Sequence, residues 1–194
     1  MTRRILIVQG HPDPAGGHFC HALADAYAAG ATAGGHEVER LEVARLEFPL
    51  LRTKEDYETG EPPADIKRAQ EAVLAANHLV VVFPLWAGEM PALLKGFFEQ
   101  LMRPSFAFGT GGRGRPKRRL RGRSARVVVT MGMPALAYRF YFGAHGLRNL
   151  RRNILGLTGI GPIHASLIGQ VEALSAASRA AVLERMAQIG RRAG

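Results

Sequence analysis

The stretch Leu85 to Met90 lies between two prolines, Pro84 and Pro91, and holds the single tryptophan of the chain, Trp86, beside Ala87 and Gly88. An indole and the backbone N–H groups of a tight turn suit a flat aromatic ligand, the first as a stacking face and the second as donors. The run before it, Val80 to Phe83, is β-branched and aromatic, the pattern of a strand buried on both faces of a parallel sheet. Pro91 then opens a helix where a missing N–H costs nothing, and Leu93, Leu94, Phe97, Phe98 and Leu101 continue it at helical spacing. A turn at the carboxyl end of a central strand is where open α/β sheets bind ligands. The plainer reading of Trp86 is a core aromatic beside a turn.

A second loop, Gln9 to His18, is rich in Pro and Gly and feeds a helix expected from about Gly17 to Ala33. Unpaired N–H groups and the positive dipole end make such a helix start an anion site, with phosphate as the expected guest. The loop has neither the GxGxxG spacing nor a Walker Lys-Ser/Thr, which argues against a Rossmann dinucleotide site and a P-loop nucleotidase. His11 can serve as a ligand or merely satisfy a loop carbonyl. His18 and His21 suit capping or surface positions, and Cys20 suits a small buried hydrophobe. Asp13 and Glu89 lack a third partner for hydrolytic acid/base work, and no His/Asp/Glu spacing suggests a metal.

One cysteine excludes an internal disulfide. Met1 to Arg4 leads into an apolar run too short for an export signal, and no stretch reaches the roughly 18 apolar residues of a membrane span. A cytoplasmic protein with no membrane insertion is expected. The formal charge of +10 raises the question of polyanions. Arg113, Arg115, Lys117, Arg118, Arg119, Arg121, Arg123 and Arg126 form one basic stretch, and Arg148, Arg151 and Arg152 another; elsewhere the charges nearly balance. No aromatic residues interleave the basic loop, as stacking on single strands requires, so a solvated loop steering an anionic dinucleotide is expected rather than nucleic-acid binding.

The elements that position these residues follow from periodicity. Strands are expected at Arg3 to Val8, Glu37 to Val43, His78 to Phe83, Ala125 to Met131 and Ile160 to Ile168. Helices are expected after Gly17, over Ala64 to Asn77, after Pro91, over Gly146 to Leu157 and over Glu172 to Arg191. Ala44 to Asp65 reads as an irregular connection and Arg103 to Gly122 as a long basic loop. Alternating strands and helices with right-handed crossovers imply a single domain over 1–194: a doubly wound five-stranded parallel sheet in the order 2-1-3-4-5. That order brings together His11 to Cys20, Pro84 to Met90 and Thr130 to Pro134.

His11-Pro12-Asp13-Pro14 with Phe19, then Phe83 through Phe97, then Thr130-Met131-Gly132, resemble the flavodoxin-like NAD(P)H:quinone oxidoreductase family. The resemblance implies a flavin whose phosphate lies against His11, His18, Phe19 and Cys20. It implies an isoalloxazine ring between Pro84, Leu85, Trp86, Ala87 and Gly88 on one side and Thr130, Met131 and Gly132 on the other. Tyr138 and His145 are similar to the Tyr and His that face flavin and substrate in that family. The family's usual Ser-Phe-Asn is His18-Phe19-Cys20 here, and Ala87 replaces a common second aromatic. The implied activity is ping-pong reduction of quinones or similar small electron acceptors by NADPH or NADH. FMN is preferred to FAD because the chain stops soon after its last helix. A homodimer meeting near Tyr138 to His145 is also implied. The same family contains ancillary proteins of potassium efflux systems, so association with a transporter is the alternative.

Overall fold

The computed structural model describes residues 2–109 and 117–194. The central sheet contains β1 (Arg4–Gln9), β2 (Glu37–Glu42), β3 (His78–Pro84), β6 (Ser124–Thr130) and β7 (Ile163–Ile168). All neighbours are parallel and the order is β2-β1-β3-β6-β7, the expected 2-1-3-4-5 arrangement counted over the sheet strands. Side chains alternate across it. Leu6, Val8, Leu79, Val81, Phe83, Val127 and Val129 enter one core with α3 (Ala64–Ala75) and α4 (Ala92–Leu101). Ile5, Ile7, Val80, Val82 and Val128 enter the other with α1 (Phe19–Ala33) and α7 (Ala176–Arg191). Near-continuous hydrophobic runs in β1, β3 and β6 therefore have apolar partners on both sides.

Two glycines let α1 and α7 approach backbone to backbone. A Cβ on Gly30 would lie 1.9 Å from the carbonyl oxygen of Ala187, and one on Gly190 2.2 Å from that of Tyr27. No side chain fits there.

Several boundaries differ from expectation, each for a local reason. Strand pairing of the last strand begins at Ile163, because Pro162 has no N–H to give the ladder. The closing helix begins at Ala176, where Ser175 caps it by accepting the Ser178 N–H at 3.1 Å. The helix expected over Gly146 to Leu157 is α6 (His145–Asn149) continued by a π-wound segment, Leu150–Gly156. The connection at 44–65 contains a short α2 (Lys54–Glu58) capped by Thr53. The expected basic loop contains α5 (Pro104–Ala107) and a two-stranded pair, β4 (Phe108–Gly109) with β5 (Lys117–Arg118). Arg113 and Arg115 lie outside the described residues.

Two members of the basic stretch are structural. Arg123 donates to the carbonyls of Val73 and Leu74 at the end of α3, and Arg126 to Gly194 O and Ser166 Oγ. Arg103 is buried, and its guanidinium binds the carbonyls of Asp56 and Gly60 and the Gln100 side chain.

Candidate functional site

The loops after β1, β3 and β6 meet at the carboxyl rim of the sheet, and backbone bonds fix their spacing. Gly10 N–H donates to Val82 O at 2.7 Å, Leu85 N–H to Thr130 O at 2.7 Å, and Met131 N–H to Ile168 O at 2.9 Å. These bonds bring the three sequence-predicted segments together.

The tryptophan turn is a two-residue reversal. Trp86 and Glu89 exchange N–H···O bonds of 2.9 Å, and both residues between them have positive φ, Ala87 at 48° and Gly88 at 81°. Glycine takes that conformation freely; for Ala87 it costs roughly 1 kcal/mol. The Trp86 N–H is spent inside the turn. Those of Ala87, Gly88 and Gly132 have no acceptor among the described residues and remain available. The indole is 51% exposed and meets the His11 ring edge-on, with centroids 6.1 Å apart. Pro84 and Leu85 are half-buried beneath it.

His11 is buried and stacks face to face on His18, centroids 3.8 Å apart and planes 14° from parallel. Burial, then the neighbouring His18 and His21, pulls its pKa down from 6.5 to about 4, so it is neutral near pH 7. Its Nδ1 accepts the Asp13 N–H at 3.2 Å, which assigns its proton to Nε2 as an available donor. Gln9 holds it from behind by accepting the His11 N–H at 3.1 Å, while Gln9 Nε2 is buried without a partner. His18 is exposed and pairs with Asp13 at 2.7 Å; this bond, first of all, keeps the Asp13 carboxyl below its usual range. As the residue before α1, His18 offers no side-chain cap, so the first-turn N–H groups at Phe19 and Cys20 point at the loop uncapped.

Cys20 and Thr130 face each other instead of a ligand. Sγ and Oγ1 are 3.1 Å apart, both residues are buried, and burial raises the thiol to about 11. Only the backbone N–H of Cys20 is therefore open to a ligand. Met131 is buried, whereas Gly132 is exposed at the rim.

Tyr138 is 2% exposed and sits inside the core rather than at the mouth. Its hydroxyl accepts the Leu147 N–H at 3.1 Å, and burial raises its pKa. It thereby anchors the start of α6, whose first residue, His145, is exposed. Gly146 lets that helix touch the tryptophan turn: a Cβ there would be 2.7 Å from Gly88 O and 2.9 Å from Glu89 Oε2. So His145 stands beside the turn, and Tyr138 holds it there from below.

Sequence reasoning missed four residues that complete the site. Gln9 orients His11, and Gly146 sets the approach of α6. Arg179, from α7, lays its guanidinium over the Phe19 ring at 5.2 Å and is held by Val171 O and Leu174 O, so a fixed cation stands at the α1 start. A Cβ on Gly132 would lie 3.1 Å from a Glu172 carboxylate oxygen, which places that carboxylate over the rim. Only the glycine carried a local signal; the other contacts join residues far apart in sequence.

The donors suit a planar ring with polar edges and a phosphorylated tail. Ala87, Gly88 and Gly132 keep unspent N–H groups at the rim, the uncapped α1 start and Arg179 supply positive potential for a phosphate, and the neutral His11 offers Nε2–H as a donor. Among the described residues, no cluster of His, Cys, Asp and Glu has the arrangement of a metal site, and no helix is long and apolar enough to cross a membrane.

A family model described as flavodoxin-like fold matches residues 3–190. An uncharacterised NAD(P)H oxidoreductase of Haemophilus influenzae is 25% identical over 187 residues, covering 94% of this chain and 92% of that one. The glutathione-regulated potassium-efflux system ancillary protein KefG of Cronobacter sakazakii is 37% identical over 96 residues, covering 48% and 49%. Among solved structures, NAD(P)H:quinone oxidoreductase from Methanothermobacter marburgensis superimposes with a TM-score of 0.81 at 23% identity, covering 99% and 97% of the two chains. An FMN-dependent NADH-azoreductase from Bacillus anthracis in complex with FMN does so at 0.70 and 15%, covering 98% of each. These structural likenesses establish a shared fold.

Proposed function

The chain belongs to the flavodoxin-like fold family, and from that premise we propose that it is a flavin-dependent NAD(P)H oxidoreductase that reduces quinones or similar electrophiles. The observation that carries the reading is the convergence, at one rim, of an exposed indole, three unspent backbone donors and an uncapped helix start. FMN is the preferred cofactor, as in the azoreductase of the same fold.

When bound, the flavin supplies hydride transfer from the nicotinamide and delivery of electrons to the acceptor. The protein's part is to hold and steady it. His11 Nε2–H, the first-turn N–H groups at Phe19 and Cys20, and Arg179 hold the phosphate. Pro84, Leu85, Trp86, Ala87 and Gly88 would border the ring from one loop and Gly132 from another, with Thr130 and Met131 buried next to it in sequence. The N–H dipoles of Ala87, Gly88 and Gly132, unspent at the rim, would stabilise negative charge on a bound ring. His145, exposed beside the turn, is placed to move a proton to the acceptor; Tyr138, through Leu147 N–H, is its positioning residue. One open side must serve donor and acceptor in turn, so the kinetics are ping-pong.

The test is an absorbance spectrum of the purified protein, mass identification of any released cofactor, and FMN titration followed by NAD(P)H turnover with a quinone. Flavin bands and parallel-line kinetics are expected. A colourless protein that binds neither FMN nor FAD overturns the proposal. Similarity to KefG over half of the chain supports a second reading, a transporter's ancillary protein; co-purification with a transporter and negligible turnover with every acceptor would favour it.

A further inference from the structure

The two edges of the sheet are built differently. At the β2 edge the charges are matched inside the chain: Arg4 pairs with Glu37, Arg40 with Asp25 and Arg45 with Glu42. The other edge is β7, which pairs with β6 alone. Residues 100–194 carry 17 basic side chains against only Glu172 and Glu184, and every ion pair among the described residues lies within 4–99. The positive charge around β7 therefore has no side-chain counterion among the described residues.

In a parallel ladder every second residue of a strand bonds to the neighbouring strand. On the β6 side, Ala125 N–H donates to Pro162 O and Met131 N–H to Ile168 O, both at 2.9 Å. The alternate residues Ile163, Ala165 and Leu167 thus turn their N–H and C=O groups outward. Among the described residues only Ile163 O has a partner there, the Arg151 guanidinium at 2.9 Å. Two basic grooves flank this edge. On the α7 side, Arg126, Arg185 and Arg192, with Ser166 and Gln188, line a groove of about 690 Å³ that no described carboxylate enters. Arg126 donates to Ser166 Oγ at 2.8 Å and to Gly194 O at 2.5 Å, while Arg185 and Arg192 are exposed. Burial lowers the Arg126 pKa, Tyr27 opposes that, and the Arg185 charge adds to it, so the two cations are neighbours. On the opposite side of the strand, where Ile163 packs, Arg148, Arg151 and Arg152 edge a second groove of about 400 Å³.

We propose that the outer edge of β7 takes up an extended acidic segment of a partner protein as an added strand of the sheet. Such a strand supplies acceptors for the N–H groups of Ala165 and Leu167 and donors for their carbonyls. Its side chains alternate between the two faces, so carboxylates on both faces reach arginines, one set in each groove. A nucleic acid would offer phosphates to the arginines but no row of donors to the outward carbonyls. A second copy of this chain would bring two like-charged edges together, and the same arginines keep the edge from pairing with itself. The edge contains none of residues 138–145, where the homodimer is expected to meet. The inference goes beyond the redox reading and does not rest on it.

The test is fluorescence anisotropy of the whole protein with a labelled peptide of alternating Glu and Val. The controls are alternating Glu and Pro, which keeps the charge but cannot form a strand, and alternating Lys and Val. Binding of the Glu-Val peptide that weakens as salt rises is expected, with both controls weaker by about tenfold or more. Amide hydrogen exchange at Ala165 and Leu167 should slow when that peptide is added. Arg185→Gln/Arg192→Gln, at exposed positions, should weaken binding roughly 10- to 100-fold. Ala165→Pro removes only an outward N–H and should weaken binding about tenfold with the melting temperature little changed. If that variant does not fold, the arginine pair and the exchange measurement decide. The proposal is overturned by no binding at low salt, by equal affinity for the Glu-Pro peptide, by unslowed exchange at Ala165 and Leu167, by binding unchanged in the arginine variant, or by tighter binding of duplex DNA at the same ionic strength. Light scattering that shows folded Ala165→Pro splitting an oligomer would overturn it too, because the edge would then already be paired with a second copy. None of these readouts uses flavin or NAD(P)H, so the docking edge and the redox reading fail separately.

Discussion

Acid should destabilise this protein in a window that His78, with His11, helps to set. His78 opens β3 and is 1% exposed, with Nδ1 2.7 Å from Ser124 Oγ, the ring stacked near Tyr27, and Nε2 buried without a partner. Burial first, then the charges of Arg3, Arg126, His164 and His36, pulls its pKa from 6.5 to about 4. The unfolded chain takes up the proton that the folded chain refuses, so the stability this site holds is complete above about pH 6.5 and is lost as pH falls toward 4. For those two pKa values the loss is about 2 kcal/mol at pH 5 and about 3 kcal/mol at pH 4. That is a large part of the roughly 5–15 kcal/mol expected of a whole domain. His78→Leu, combined with Ser124→Ala so that no hydroxyl is stranded, removes the titrating group while keeping apolar contact with Tyr27. Urea melts at several pH values should then give a flatter profile for the variant, with the gap to the native protein narrowing by about 2 kcal/mol from pH 8 to pH 5. His11 titrates in the same direction in both proteins, so the difference isolates His78. Parallel profiles over that range would refute the argument and mean that His78 binds its proton in the fold as readily as in the unfolded chain.

Three further outcomes are expected. Trp86→Ala should weaken FMN binding roughly 10- to 100-fold, the worth of one aromatic stack, while stability changes by less than about 0.5 kcal/mol because half the indole is already in water; titration and a melt decide between ligand face and core aromatic. Gly146→Ala should push α6 off the Gly88 carbonyl at a cost of about 1–3 kcal/mol and weaken FMN, and an unchanged melting temperature would contradict that close approach. Arg103→Met should take the donors away from the part-buried carbonyls of Asp56 and Gly60, lowering stability by about 1–3 kcal/mol and opening 54–60 to proteolysis, as chevron and digestion rates will show.

The hydrophobic runs at 5–8, 79–83 and 127–129 and the prolines at 84 and 91 made the strands, their order and the position of the tryptophan turn legible from sequence, because period and turn chemistry are local properties. The candidate site was legible to the extent that its residues follow strand ends. His11, Trp86 and Gly132 are such residues, and the sheet order alone obliges their loops to meet. Chain order could not show where side chains turn: Tyr138 faces inward to hold Leu147, and Cys20 is matched with Thr130 across 110 residues. Nor could it show that Arg179 reaches Phe19 from the last helix, or that Arg118 and Arg121 pack on Gly159. Those choices depend on which surfaces the packed helices present to one another, a free energy shared among distant residues and written in no single segment. The sequence by itself determined the layers and the rim, whereas tertiary packing decided which side chains at that rim are free to meet a ligand.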